Sequence, residues 1–428
     1  MKKATFIVPP ELLWPHGPNS EFIGPSAVAL GGGRILLVVA PGRPPLALDE
    51  QRKATSQLMR YLSEDEGRTW RLLGPSPLAQ IDGQPIGTST ILPFGGDRLA
   101  FLNCQALPNH HGGGLYTFSI SDDLGATFTS TVEIAGREEI LYSMPERLIR
   151  LRSGRLLFPS AVMPPEGKYE GDVNVGVAFF SDDEGRTWQR SSGQTAMPGG
   201  GNSRGMAEPV AVELRDGRLL MLARTGVGCH CASWSLDGGD TWSAPERTQL
   251  TAACSPLSLK RLPDAPSAGS GQGRLFVVYN HTEPISPGAF FPRTPLVYAV
   301  SSDEGQSWSD PVVIDDEGAV ERNRQLIYPS ITFCTDGVLI IYSVHAADPD
   351  GSFNNGGPDG WQIGGGKRCV VDGTGDDIRA YVKRMMATIG NHNGGLCSMA
   401  YSQPEAVGHT PEKTAAMCAA FRDLGGCQ

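Results

Sequence analysis

An eight-residue pattern, Ser-x-Asp-x-Gly-x-(Thr/Ser)-(Trp/Phe), occurs five times in this chain. It reads SEDEGRTW from Ser63, SDDLGATF from Ser121, SDDEGRTW from Ser181, SLDGGDTW from Ser235 and SSDEGQSW from Ser301. Successive first serines are 58, 60, 54 and 66 residues apart. A pattern held at near-constant period marks a repeat architecture, whose units cannot bury their apolar faces alone and must stack on one another. The residue types describe a turn. Asp65, Asp123, Asp183, Asp237 and Asp303 can each fold a carboxylate back onto turn N–H groups. The glycine two positions later suits a positive φ, and the closing Trp or Phe supplies an apolar body to bury beside it. The boxes read as structural hairpin turns, not as catalytic groups.

Each box is half of a larger unit. Upstream lies a strand, a tight turn and an apolar strand: GPSAVALGGGRILLVV at 24, GTSTILPFGGDRLAFLN at 87, MPERLIRLRSGRLLFPS at 144 and EPVAVELRDGRLLMLAR at 208. The series continues as SPLSLKRLP…GRLFVVYN at 255 and YPSITFCTDGVLIIYS at 328. Val, Ile and Leu runs around Asp-Gly, Gly-Gly or Ser-Gly are hairpins. A third strand enters each box and a fourth leaves it. Six such units predict an all-β chain, a six-bladed β-propeller of four-stranded antiparallel blades. The sixth copy has no box. The N-terminal ATFIV is expected to supply its last strand, and WQIGGGKRCVVD is the candidate for its third. Residues 1–346 are assigned to the propeller. Residues 347–428 are assigned to a Gly-rich linker and a C-terminal extension, with helical spacing over 376–390 and 411–425.

Bulk properties exclude several classes. A net charge of −10 argues against a nucleic-acid partner. The nine cysteines are odd in number and lack disulfide spacing, and Cys229-His230-Cys231 has no second ligand pair for zinc. No apolar run reaches membrane-spanning length, and the N-terminus has too short an apolar stretch for a signal peptide. A cytoplasmic protein without membrane partner, metal or cofactor is the expectation.

In a propeller the innermost strand of each blade borders the central channel, so residues opening the first strand or closing the second converge from distant parts of the sequence. Glu208, Arg224, Arg293 and Tyr328 hold such positions, with Asp49 and Asp82 on loops. Each also has an ordinary structural reading: a strand-start carboxylate, a snorkelling arginine, an edge-packed tyrosine, a solvated charged loop. Glu146, Asp82, Asn280 and His345 lie at comparable positions and read first as structural.

The boxes resemble the Asp boxes of the sialidase (neuraminidase) superfamily, over about residues 20 to 346. GMAEPVAVELRDGRLLMLARTG resembles the family segment with the catalytic glutamate and the second carboxylate-binding arginine, which fall on Glu208 and Arg224. PRTPLVYAVSSDEGQSW resembles the segment with the third arginine, Arg293. YPSITFCTDGVLIIYS resembles the segment that opens with the nucleophilic tyrosine, Tyr328. The GRPPLALDEQR loop matches the place of the acid/base aspartate, with Asp49 first and Glu50 second. Asp82 is a further substrate-binding candidate. The resemblance implies an exo-acting, retaining glycosidase for a terminal acidic sugar. The sugar's carboxylate sits among guanidinium groups, and a neutral tyrosine attacks where a carboxylate would be repelled. Family members place the first arginine in an Arg-Ile-Pro motif. This chain reads Phe22-Ile23-Gly24-Pro25 instead, leaving Arg43, Arg60 or Arg147 as substitutes. The second class is a propeller that binds glycans or proteins without catalysis.

Overall fold

The computed structural model describes residues 22–41, 58–76, 86–106, 113–163, 174–197, 204–263, 273–282, 293–316 and 324–346 except 336, together with the backbone of three further strands. Among these residues there is no helix. The strands form six blades in chain order. Blade one is Phe22–Gly31, Arg34–Pro41, Leu58–Ser63 and Arg71–Ser76. Blade two is Ile86–Gly95, Arg98–Ala106, Gly114–Ser121 and Ser130–Glu133. Blade three has a broken inner strand, Leu141–Tyr142 and Ile149–Arg150, followed by Leu156–Val162, Val175–Ser181 and Gln189–Arg190. Blade four is Ala207–Glu213, Leu219–Arg224, Cys229–Ser235 and Glu246–Thr251, and blade five is Ser258–Arg261, Leu275–Asn280, Leu296–Ser301 and Val312–Asp315.

Blade six closes the ring from both ends of the chain. Arg324–Cys334 pairs with Gly337–Ala346, which pairs in turn with Trp361–Cys369, and the N-terminal Phe6–Val8 pairs antiparallel with that third strand. Lys2–Lys3 adds a parallel edge to blade five. The sixth sheet therefore reaches past residue 346, where the sequence reading ended the propeller. The reason is composition: the connection between its second and third strands, residues 347–360, is made largely of Gly, Asn, Asp and Pro and reads as a linker. The expected helical stretches at 376–390 and 411–425 lie outside the described residues.

The boxes form one turn repeated five times. In the third copy the Ser181 hydroxyl donates to Asp183 Oδ1 at 2.8 Å, the Thr187 N–H to the same oxygen at 2.9 Å, and the Thr187 hydroxyl to Oδ2 at 2.7 Å. These bonds, the backbone N–H of Thr187 first, hold the Asp183 carboxyl down at about 2. The glycine is needed twice over. Gly185 has φ +86°, and a Cβ there would meet Phe118 of blade two at 2.0 Å. The other box glycines press likewise on neighbouring side chains, such as Gly239 on Leu157 and Gly305 on Leu220. Trp188 tilts against Phe118 with ring centroids 5.3 Å apart. Each box is thus a clasp onto the preceding blade, which is why it recurs with the period of the fold.

The inner strands leave one edge open to the axis, where backbone groups need partners. Side-chain hydroxyls of neighbouring blades supply them. Ser26 accepts from the Ile91 N–H at 3.1 Å, Ser330 accepts from the Ala27 N–H at 3.0 Å, and Thr332 donates to the Ala27 carbonyl at 2.9 Å. The axial channel holds a cavity of about 500 Å³, lined once per blade by Ala27, Ile91, Glu146, Ala211, Leu259 and Ile331. Glu146 spans it, accepting from the Ser26 hydroxyl at 3.1 Å and pairing with Lys260.

Candidate functional site

Three of the inner strands begin with the same irregularity. Their registers slip between Ile23 and Ser26, between Ala207 and Val210, and between Ile327 and Ser330. The residue inside each slip has a positive φ: Gly24 at 60°, Glu208 at 44° and Tyr328 at 57°. A bulge of this kind re-aims a side chain. Non-glycine residues held there are uncommon, and such strain concentrates at working positions. Blade one carries glycine at this place and brings no side chain. Blades four and six bring a carboxylate and a phenol. Glu146 shares the positive φ at 70°, but its carboxylate is spent on Ser26 and Lys260 inside the channel.

Four of the sequence candidates meet. Arg224, closing the second strand of blade four, donates through Nη1 to Glu208 Oε2 at 2.7 Å and to the Tyr142 hydroxyl at 3.3 Å. The pair is deeply buried, with side-chain exposures of 5% and 0%. Glu208 Oε1 has no hydrogen-bond partner among the described residues. Tyr328 lies within electrostatic reach of Glu208, Arg224 and Arg293 and is hydrogen-bonded to Arg293. Of these four side chains only Tyr328 keeps partial exposure. Burial, and then the Glu208 charge, push its phenol above the ordinary range, against the opposing pull of the two guanidiniums. The phenol is therefore neutral at neutral pH. Burial lowers Arg293, and the Arg224 charge adds to that. Burial also acts to lower Arg224, but Cys254 and Glu208 beside it outweigh this and hold it above its usual value.

Arg293 is set from the main chain. Its N–H donates to Gln325 Oε1 at 2.6 Å, and its carbonyl accepts from Asn280 Nδ2 at 2.8 Å and from the Leu326 N–H at 3.1 Å. Asn280, expected to be structural, ties the arginine to the strand that carries Tyr328.

Of the substitutes for the absent blade-one arginine, Arg147 sits in this cluster. It is 1% exposed, and Glu208, Glu146, Tyr116 and Tyr328 all act on its charge. Burial brings it down to about 10. Its terminal nitrogens donate to the Pro145 and Leu257 carbonyls at 3.0 and 2.8 Å. Arg60 is elsewhere, bonded to the Leu124 and Pro75 carbonyls at the junction of blades one and two. Asp49, Glu50, Asp82 and Arg43 lie outside the described residues, and so does the side chain of His345. Sequence reasoning missed Tyr142 and Cys254, both of which touch Arg224. The signal was the X-Pro step: Cys254-Ser255-Pro256 and Tyr142-Ser143-Met144-Pro145 precede the same inner-strand position as Glu208-Pro209 and Tyr328-Pro329.

Three buried cations around one carboxylate and one neutral phenol make a site suited to an anionic group. Among the described residues no cluster of His, Cys, Asp and Glu is arranged to hold a metal ion.

Residues 83–341 match the BNR repeat-like domain family. Over 189 residues the chain is 28% identical to a sialidase of Micromonospora viridifaciens, a match covering 43% of this chain and 25% of that protein. The chain thus spans about a quarter of that relative's length. Its fold is similar to the NanB sialidase of Streptococcus pneumoniae, with a TM-score of 0.61 at 14% identity over 85% of this chain and 70% of the other. It is also similar to the Trypanosoma rangeli sialidase in complex with sialic acid, with a TM-score of 0.56 at 15% identity over 90% and 59%.

Proposed function

This chain belongs to the BNR repeat-like family of the sialidase superfamily, and from that premise we propose that it is an exo-acting glycoside hydrolase that removes a terminal acidic sugar with retention of configuration. The observation that carries the proposal is the convergence of Tyr328, Glu208, Arg224 and Arg293 from three blades, with Tyr328 the partly exposed member. In this reading Arg224 and Arg293 take the sugar carboxylate, with Arg147 as the third cation behind them. Tyr328 attacks the anomeric carbon. Glu208, fixed through Oε2 by Arg224, accepts the phenol proton on Oε1. A base is required because the Tyr328 phenol is held neutral. The neutral nucleophile suits a site meant for an anion, since the guanidinium cluster draws the carboxylate in and the phenol does not repel it. Asp49 is the proposed acid that protonates the leaving oxygen and then activates water, and Asp82 a proposed contact to the sugar. The sialic-acid complex of the Trypanosoma rangeli neighbour favours a sialoside over other acidic sugars.

The glycan-binding reading is favoured by one feature. Both terminal nitrogens of Arg147 are already bonded to carbonyls, so the third cation offers charge but few free donors. Release of 4-methylumbelliferone from its α-sialoside by the wild type and by Tyr328→Phe separates the two. Turnover that collapses in the variant supports the tyrosine mechanism. Binding of sialic acid without turnover in either supports a binding propeller.

A further inference from the structure

All three arginines of the site lean on one short segment, the lead-in to blade five. The Arg224 Nε–H donates to Cys254 Sγ at 3.3 Å, Arg293 Nη2 to the Cys254 carbonyl at 3.4 Å, and Arg147 Nη2 to the Leu257 carbonyl at 2.8 Å. The segment is rigidly placed. Ala252, Ala253, Cys254, Ser255 and Leu257 are all buried. The Ala252 N–H donates to the Gly228 carbonyl at 3.1 Å, and the Ser255 N–H folds back onto Ala253 at 2.6 Å, which turns the chain sharply at Cys254. Ser258, next along, donates to the Pro329 carbonyl beside Tyr328.

We infer that Cys254 and the loop 252–257 form the positioning element of the anion site, holding the guanidiniums of Arg224, Arg293 and Arg147 in place through one sulfur and two peptide carbonyls. The chemistry decides this. A buried guanidinium N–H needs an acceptor. A carboxylate would supply one and cancel the field at the same time, as Glu208 does in part for Arg224. One sulfur and two peptide carbonyls give each of the three arginines an acceptor without a further carboxylate. The result is a preorganised cationic cluster that needs no rearrangement when an anion arrives. Cys254 occupies the centre because its thiol and its carbonyl bind different arginines, fixing their separation through a single residue. Cys254 is a positioning residue: it acts on the ligand through the arginines.

The inference rests on the anion-site reading, and two measurements keep the two apart. The first is the Arg224 Nε–H resonance in an arginine-selective ¹H–¹⁵N spectrum, identified by its loss in Arg224→Lys. It shifts in Cys254→Ala if the thiol holds that group, and an unmoved resonance overturns the positioning claim whatever the protein binds. The second is calorimetric titration with the inhibitor DANA. Loss of one hydrogen bond to a charged group weakens binding about tenfold in Cys254→Ala. Cys254→Ser, which keeps an acceptor for the Arg224 Nε–H, recovers most of that. Cys254→Asp, which adds a charge among the arginines, loses about a hundredfold or more. Cys334→Ala, a remote thiol at the box face bonded to the Glu66 carbonyl, changes neither readout. An aspartate variant that binds DANA as well as the wild type refutes the argument that a further carboxylate here would cancel the field of the arginines. A wild type that binds no DANA refutes the sialoside reading, and the resonance then decides the loop's role alone.

Discussion

Replacing Glu208 by glutamine tests the site at its most connected residue. The change is nearly isosteric, so packing is kept while a charge and a base are lost. Removing a positioned base slows the chemical step by about 10²- to 10⁴-fold, or about 3–5 kcal/mol of barrier at 1.36 kcal/mol per decade. The cost to folding is smaller. Unpairing a buried ion pair costs about 3–5 kcal/mol, and the glutamine amide oxygen still accepts from the Arg224 Nη1–H that now lies 2.7 Å from Glu208 Oε2. That charged hydrogen bond returns about 1.5–3 kcal/mol, so the net destabilisation is about 2 kcal/mol, well inside the ordinary stability of about 5–15 kcal/mol. Initial rates on the methylumbelliferyl α-sialoside and a thermal melt on the same sample separate the two effects. A third readout is the tyrosinate difference spectrum against pH, with Tyr328→Phe as the blank. Burial and the Glu208 charge both raise the Tyr328 phenol, so in Glu208→Gln it ionises at lower pH than in the wild type. An unchanged kcat in a folded variant, or a Tyr328 phenol that ionises no earlier, refutes the assignment of Glu208 as its partner.

Three further outcomes follow from the scaffold. Gly185→Ala strains a φ of +86° and drives a Cβ into Phe118, whereas Gly154→Ala strains a φ of +93° with nothing within 4 Å. The first loses about 1–2 kcal/mol to backbone and about 1–3 kcal/mol to overlap, the second the backbone part alone, and equal shifts in the urea midpoint would sink the clasp argument. Asp183 is held at about 2, below its ordinary 3.8. Its folded value is depressed, so the stability it supplies is complete above about pH 4 and lost as the pH falls towards 2. Asp183→Asn flattens the slope of stability against pH in that window, and a slope like that of the wild type counts against the box as a charged turn. His230 is pushed down to about 3, by burial first. It folds neutral, so its contribution is intact above about pH 6.5 and erodes from there towards 3. His230→Phe removes that erosion, as read by melting temperature against pH.

The propeller was legible because its boxes clasp neighbouring blades and must recur at the fold's own period. The boxes from Ser63 to Trp308 mark five of the six blades on the surface of the sequence. The closing strand Phe6–Val8 was legible by elimination, since a sixth unit without a box must borrow one. Residue 346 misled as a boundary because Trp361–Cys369 follows a Gly-rich connection that reads as a linker. At the site, Arg293, expected to open a first strand or close a second, instead precedes a third strand, Leu296–Ser301, whereas Glu208, Arg224 and Tyr328 were found because they sit at those fixed places in the repeat. Tyr142 and Cys254 were not, because no local pattern says which blades touch across the axis, and Cys254 acts partly through its backbone carbonyl.

The innermost strands nonetheless write part of the answer in proline. An inner strand is a sheet edge facing the channel, so it tolerates a residue with no N–H to give. Gly24-Pro25, Met144-Pro145, Glu208-Pro209, Ser255-Pro256 and Tyr328-Pro329 place such a step in five of the six blades. In blades one, four and six the residue before the proline lies inside the register slip with φ between 44° and 60°. What stands there decides what the blade contributes. Glycine accepts the conformation without strain and gives nothing to the pocket. Glutamate and tyrosine are held there against their preference, and the bulge turns each towards the same buried arginines. The side chains at these steps, rather than those of the conspicuous boxes, are the ones that meet the buried arginines.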